Sequence, residues 1–129
     1  EEAVELVWQA FDDMQGGEIY VKKIPSMKVT DVALAVDSNA KQEEVGIRPG
    51  EKLHEQMIAL EDALYTFEYP GYYKILPSIN NWSMDESRIG NGVLVDPDFT
   101  YCSNNNKEWM SIDTLKDWIE VNRNKIGNI

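Results

Sequence analysis

The side chains best placed to do chemistry lie in one run, Gly46-Ile47-Arg48-Pro49-Gly50-Glu51-Lys52-Leu53-His54-Glu55. Pro49 fixes its own φ and pushes Arg48 towards an extended conformation. Gly50 can take a positive φ, so Pro-Gly at the two central positions predicts a type II turn with Arg48 and Glu51 as its outer residues. The outer Cα atoms of such a turn lie within about 7 Å of each other. A guanidinium and a carboxylate are then presented together on a stiff piece of backbone. The guanidinium suits bidentate binding of phosphate oxygens, and the carboxylate can accept hydrogen bonds from a sugar diol. Together they can read a nucleoside diphosphate. The same two groups can also simply pair with each other across a surface turn, and the turn taken alone favours that pairing.

The other reactive side chains are scattered. His54, the only histidine, stands next to Glu55 and can act as a general base, but a structural histidine beside the turn carries more weight. Cys102 is the only cysteine and lies far away in sequence, too little for a zinc site of Cys and His ligands. Gly90-Asn91-Gly92 supplies a GxG without a third glycine and without a strand–helix unit around it, which reads as a loop rather than a dinucleotide fingerprint. There is no GxxxxGK[ST], and no tyrosine is followed four residues later by a lysine. The carboxylate pairs Asp12-Asp13, Glu43-Glu44 and Glu61-Asp62 read as solvated faces or helix starts. The residues therefore nominate Arg48 and Glu51 for ligand binding and none for catalysis, cofactor binding or metal ligation.

Several elements must position that turn. Residues 2–14 predict an amphipathic helix with Val4, Val7, Phe11 and Met14 along a stripe widened by Leu6 and Ala10, ended by Gly16-Gly17. Glu18 to Ile24 predicts a strand with Ile19 and Val21 on one face, closed by Pro25. Thr30 is placed to cap a helix from Asp31 to about Val36, with Val32, Ala33 and Val36 inward. Glu44–Ile47 predicts a brief strand leading into the turn, and 52–58 fits a strand better than a helical turn. Glu61–Leu64 reads as helical. Tyr65–Tyr69 and Tyr72–Leu76 read as two strands about Pro70-Gly71, with an aromatic cluster at Tyr65, Phe67, Tyr69, Tyr72 and Tyr73 that suits a core or a subunit contact. The pattern thins from Pro77 to Phe99. Ser111 caps a last helix from Ile112 to about Lys125, with Leu115, Trp118, Ile119 and Asn122 on one stripe and Gly127 after it.

Composition narrows the class. The 129 residues suffice for one domain with a real core. A hydrophobic fraction of 43% and a charged fraction of 27% are those of a soluble globular protein. No apolar run approaches the roughly 18 residues of a membrane helix. A net charge of −11 argues against nucleic acid as a partner. The single cysteine fits a reducing, cytoplasmic setting. The opening Glu1-Glu2-Ala3-Val4 carries no signal-peptide pattern and no initiator methionine, which points to a piece of a longer protein.

The element order predicts a mixed α/β (α+β) lobe with too few strands for a complete doubly wound sheet. Two blocks sharpen this: Gly17-Glu18-Ile19-Tyr20-Val21-Lys22-Lys23-Ile24-Pro25-Ser26-Met27-Lys28-Val29-Thr30-Asp31, and then Ile47-Arg48-Pro49-Gly50-Glu51-Lys52-Leu53-His54-Glu55. In this order and separation they resemble the C-terminal part of the nucleotide-sugar 4,6-dehydratases of the polysaccharide-biosynthesis group, which are extended short-chain dehydrogenase/reductases. Within that group the branch most resembled is the inverting UDP-N-acetylglucosamine 4,6-dehydratases of pseudaminic acid biosynthesis. The resemblance runs from the first helix to about Leu76, and more weakly from Tyr101 to Trp118.

The resemblance implies a C-terminal substrate-binding lobe (residues 1–129, with a family-like core at 1–76, a loop-rich extension at 77–110 and a C-terminal helix at 111–127) without the dinucleotide-binding Rossmann core. It implies that the intact enzyme holds NADP or NAD, is a homo-oligomer as family members commonly are, takes a UDP-sugar, and oxidises C4, eliminates water across C5 and C6, and reduces C6. It implies diphosphate contact by Arg48 and ribose contact by Glu51. The chain alone is expected to bind no cofactor and to be inactive. A non-catalytic oligomerisation or interaction module is the competing reading.

Overall fold

The tightest local signal, Pro70-Gly71 between two aromatic-rich runs, makes a hairpin. The computed structural model describes residues 2–126, and in it β3 (Thr66–Tyr69) and β4 (Tyr72–Ile75) pair antiparallel with Tyr69 opposite Tyr72. β1 (Ile19–Lys22) adds to β4, with Val21 opposite Tyr73. The two-residue β5 (Val93–Leu94) adds to the other side of β3. The sheet order is β1-β4-β3-β5, antiparallel throughout. A second small ladder joins β2 (Gln56–Ile58) to β6 (Tyr101–Cys102) through a bulge.

The chain divides into two compact units, one built from residues up to Ile24 with Gln56–Cys102, the other from Pro25–Glu55 with Ser103 onward. In the first unit both faces of the sheet are covered. Val21, Tyr73 and Ile75 pack with Ile58 and Tyr101 on one face; Phe67, Tyr69, Tyr72 and Leu76 pack with Leu6 and Ile89 on the other. The aromatic cluster of the hairpin is core. The Tyr69 and Tyr72 rings stack at 4.8 Å, and the Tyr101 hydroxyl donates to the Ile24 carbonyl at 2.9 Å.

One cation sits inside this core. The Lys74 side chain is 3% exposed, and its Nζ donates to Asp13 Oδ2 at 2.8 Å. The Tyr20 hydroxyl donates to the same oxygen at 2.5 Å. Burial by itself would raise the Asp13 carboxyl; the hydrogen bonds from Lys74 and Tyr20 outweigh it and hold it below its usual range. Burial first, and the Asp13 charge second, push the Tyr69 phenol up to about 12, so the ring 5.0 Å beneath Nζ stays neutral. A second buried pair fastens the segment after Leu76. Arg88, in the short helix α3 (Glu86–Ile89), bonds Glu18 and, at 3.1 Å, the Gly16 carbonyl, while its guanidinium lies 4.0 Å from the Trp82 ring centroid. That pairing gives residues 82–94 the short helical and strand pieces that a thin pattern did not predict.

Several expectations shift. α1 (Glu2–Asp13) turns Leu6 and Ala10 inward, whereas Val4, Val7 and Phe11 stay exposed, because Asp13 must reach Lys74 and that fixes the helix's rotation. Ile19 is exposed at the sheet margin. In the second unit α2 (Val29–Val36) begins before Thr30, so Thr30 lies inside it and Lys28 stands at the cap with no side-chain bond; Val36 is exposed. Glu44–Ile47 forms no strand, since Gly46 takes φ +80° and breaks the extended run. α4 (Ile112–Ile126) starts as expected, with the Thr114 amide donating to Ser111 Oγ at 3.2 Å. Leu115 is buried, but Trp118 is half exposed. The predicted Gly127 terminator lies outside the described residues. α2 packs on α4, and Ser26 is bonded on both sides by the Glu108 carbonyl and the Met110 amide.

The Asp13–Lys74 pair yields a stability prediction. Replacing Asp13 by Ala leaves a buried ammonium without its anion, a loss of about 3 kcal/mol, the low end for such pairs because Asp13 is itself 40% exposed. The sign with pH follows from the lowered carboxyls of Asp13 and Glu18. Their stabilisation is full above the ordinary values of 3.8 and 4.5 and is lost as the pH falls through the lower folded values. Urea unfolding from pH 7 down to pH 3, with the acid loss shallower in Asp13→Ala, checks both parts.

Candidate functional site

The site is built on the turn. Gly50 takes φ +87°, the left-handed value that the second central position of a type II turn needs. The Glu51 amide donates to the Arg48 carbonyl at 3.0 Å and closes the turn. The Glu51 side chain folds back on it: Oε2 accepts from the Arg48 amide at 2.9 Å, and Oε1 lies 3.8 Å from Arg48 Nε. Arg48 and Glu51 are thus brought together as the sequence predicts. The Arg48 side chain is 77% exposed and that of Glu51 50% exposed, so the long contact between them is a weak surface pair. The firm bond is the one from the backbone amide to the carboxylate, which stiffens the turn and leaves the guanidinium open to an anion.

Beside the turn is an open cleft of about 630 Å³. Its wall is backbone at Gly46 and Gly50, apolar at Ile47 and Leu53, and charged at Glu51, Lys52 and Glu55. A cleft of that size fits a nucleotide-sized ligand. The loop's far end is fixed to the chain after β6: the Ser103 amide donates to the Glu55 carbonyl at 2.8 Å, and the Glu55 amide donates to Ser103 Oγ at 3.0 Å. Near its start, Gln42 Nε2 donates to the Thr30 carbonyl at 3.0 Å. Lys52 and Glu55 also line the cleft, though the sequence reading does not single them out as ligand-binding residues. Their signal was only adjacency to the turn.

His54 is exposed in a bend, and among the described residues it has no hydrogen-bond or ion-pair partner to orient it as a base. Gly90-Asn91-Gly92 does not fit a dinucleotide site. It leaves a short helix and enters a strand, the reverse of the strand–helix order that aims a helix N-terminus at a pyrophosphate. A Cβ at Gly92 would overlap the Tyr69 ring, which is held by the Tyr72 stack and by a 2.6 Å bond to the Ile89 carbonyl. Gly92 is therefore a packing glycine. Asp13, grouped above with solvated pairs, is instead the partner of Lys74.

The model of the family described as polysaccharide biosynthesis protein matches residues 1–77. The chain belongs to that family. Over 124 residues, 92% of its length, it is 42% identical to a UDP-N-acetylglucosamine 4,6-dehydratase (inverting) of Campylobacter jejuni serotype O:23/36, and 44% identical to the protein of the same description from serotype O:2. It spans 37% of the length of each of these relatives. The solved structure of Pen from Bacillus thuringiensis shares the mixed α/β fold at a TM-score of 0.77 and 24% identity, over 95% of this chain and 36% of that one. No helix among the described residues is long and apolar enough to cross a membrane.

The turn's geometry sets its own test. Gly50 has open space where a Cβ would stand, so Gly50→Ala adds only the strain of a left-handed alanine, about 1 kcal/mol. Native-state hydrogen exchange should show the Glu51 amide opening several-fold faster. Unchanged exchange would mean that the turn does not rely on the left-handed residue.

Proposed function

We propose that this chain is the nucleotide-sugar-binding portion of a UDP-N-acetylglucosamine 4,6-dehydratase of surface-polysaccharide or nonulosonic acid biosynthesis. The observation that supports it most is the self-clamped Arg48–Glu51 turn beside a nucleotide-sized cleft, in a chain 42–44% identical to two proteins of that description. Arg48 takes a phosphate of the UDP group through its open guanidinium. Glu51 accepts from a ribose hydroxyl through Oε1 while Oε2 keeps the turn closed. The intact enzyme is cytoplasmic and homo-oligomeric. It carries NADP or NAD, which supplies the hydride chemistry when bound. The one GxG of this chain has the wrong order and packing for that cofactor, so no step is assigned to residues here. Their work is to hold the diphosphate and orient the sugar, the part of catalysis that positioning supplies.

Titration calorimetry with UDP-N-acetylglucosamine on the full-length protein tests this. Arg48→Ala should weaken binding roughly 10- to 100-fold, the loss of a charged hydrogen-bond donor of about 1.5–3 kcal/mol. An unchanged affinity removes Arg48 from the site. The present chain alone is expected to turn over no substrate.

A second reading, a non-catalytic interaction module, is favoured by one feature. Val4, Val7, Trp8 and Phe11 form an exposed apolar stripe on α1; the aromatic strands, being core, lend it nothing. Sedimentation of the chain discriminates: self-association that Phe11→Ser abolishes supports this reading, and a monomer counts against it.

A further inference from the structure

Arg48 is absent from the residues that wall the cleft, and the cleft still contains a cation. Of its lining side chains only Lys52 is positive. Among the described residues no carboxylate lies within 4 Å of its ammonium, although Glu51 and Glu55 share the same wall. The backbone adds donors. The amides of Gly46 and Gly50 give no hydrogen bond to any acceptor among the described residues. Both glycines are in left-handed conformations with open space at the Cβ position. An ammonium without a counter-charge within 4 Å and two backbone N–H groups without an acceptor among the described residues, all on residues lining one cleft, are the components of an anion site. Ile47 and Leu53 border it and offer apolar contact beside the charge.

We infer that Lys52, with the Gly46 and Gly50 amides, binds a phosphate of the diphosphate inside the cleft, and that Arg48 reaches the other phosphate from the rim. This rests on the UDP-sugar reading above and deepens it by naming a second, separate cation for the same ligand. The two cations are not equivalent. Arg48 is positioned by the turn's own clamp, whereas Lys52 follows the turn and is positioned by the loop's anchorage at Ser103. Glu51 and Glu55 on the same wall make the cleft selective. They repel a free polyanion that brings no hydroxyls and accept one that carries a diol.

The test is calorimetric titration of UDP into the full-length protein and into Lys52→Met and Lys52→Gln, at low and at moderate salt. Both variants keep most of the length of the exposed, unbranched side chain and remove its charge, and an unchanged Tm in each shows that it has folded. The expected result is at least a tenfold loss of UDP affinity in both, with a weaker salt dependence than wild type because one screened contact has gone. Wild-type binding of UDP with both variants within threefold of it overturns this inference and leaves the role of Arg48 standing. Failure of the wild-type protein to bind UDP overturns the proposed function and this inference with it.

Discussion

An ammonium group on the covered face of a sheet has to be matched by an anion, and much of the first unit follows from how Lys74 is matched. Its neighbours on that face are tyrosine rings, which can face the charge but cannot neutralise it. The anion comes from Asp13, at the end of α1. This requirement fixes the rotation of α1, and the rotation decides which apolar residues are buried. Leu6 joins the core, while Val4, Val7 and Phe11 do not. Tyr20 completes the arrangement by donating to the same carboxylate oxygen. An unmatched ammonium in that core would cost about as much as burying one or two more apolar side chains gains, and the helix is rotated to make the match.

The reach of such a match also explains what could be read from the sequence. The Pro70-Gly71 hairpin, the Ser111 cap and the Arg48–Glu51 turn depend on residues within four positions of each other, and each was legible. The rotation of α1 depends on a partner 61 residues away, and the order in residues 82–94 depends on Arg88 meeting Glu18 across 70. Nothing local announces either. Lys74 was hidden further by its context, because Tyr72-Tyr73-Lys74-Ile75 reads as a strand with one polar face, and both of its faces are covered. The strand expected at Glu44–Ile47 failed for the opposite reason. Its apolar residues suit an extended chain, but a strand needs an edge to pair with, and Gly46 turns the chain away.

The candidate site was legible in part for the same reasons. Arg48 and Glu51 stand out because Pro-Gly between them is a strong local instruction. The cleft does not stand out, since its wall needs the loop's anchorage at Ser103, 48 residues from Glu55. Reading the turn alone posed the choice as ion pair or ligand site. The geometry separates the two halves of Glu51: one oxygen holds the Arg48 amide, and the other has only a long contact with Nε. The backbone bond fixes the shape of the turn before any ligand arrives. Binding then does not have to supply the ordering cost of that segment.

A net charge of −11 would seem a poor setting for an anionic ligand. The long-range field of so acidic a chain opposes the approach of a diphosphate, but that field is screened within about 8 Å at physiological salt. Contacts at hydrogen-bond distance, well inside that length, are screened less and keep part of their strength. An acidic protein that binds an anion must therefore do it with a few donors at close range, held still by their own backbone, rather than with a broad basic surface. The four-residue turn clamped by Glu51, followed by Lys52 and carrying amides at Gly46 and Gly50 that bond to no acceptor among the described residues, has the form the proposed site requires. In the proposed site, the carboxylates that burden the long-range field are the groups that favour a sugar diol beside the phosphate.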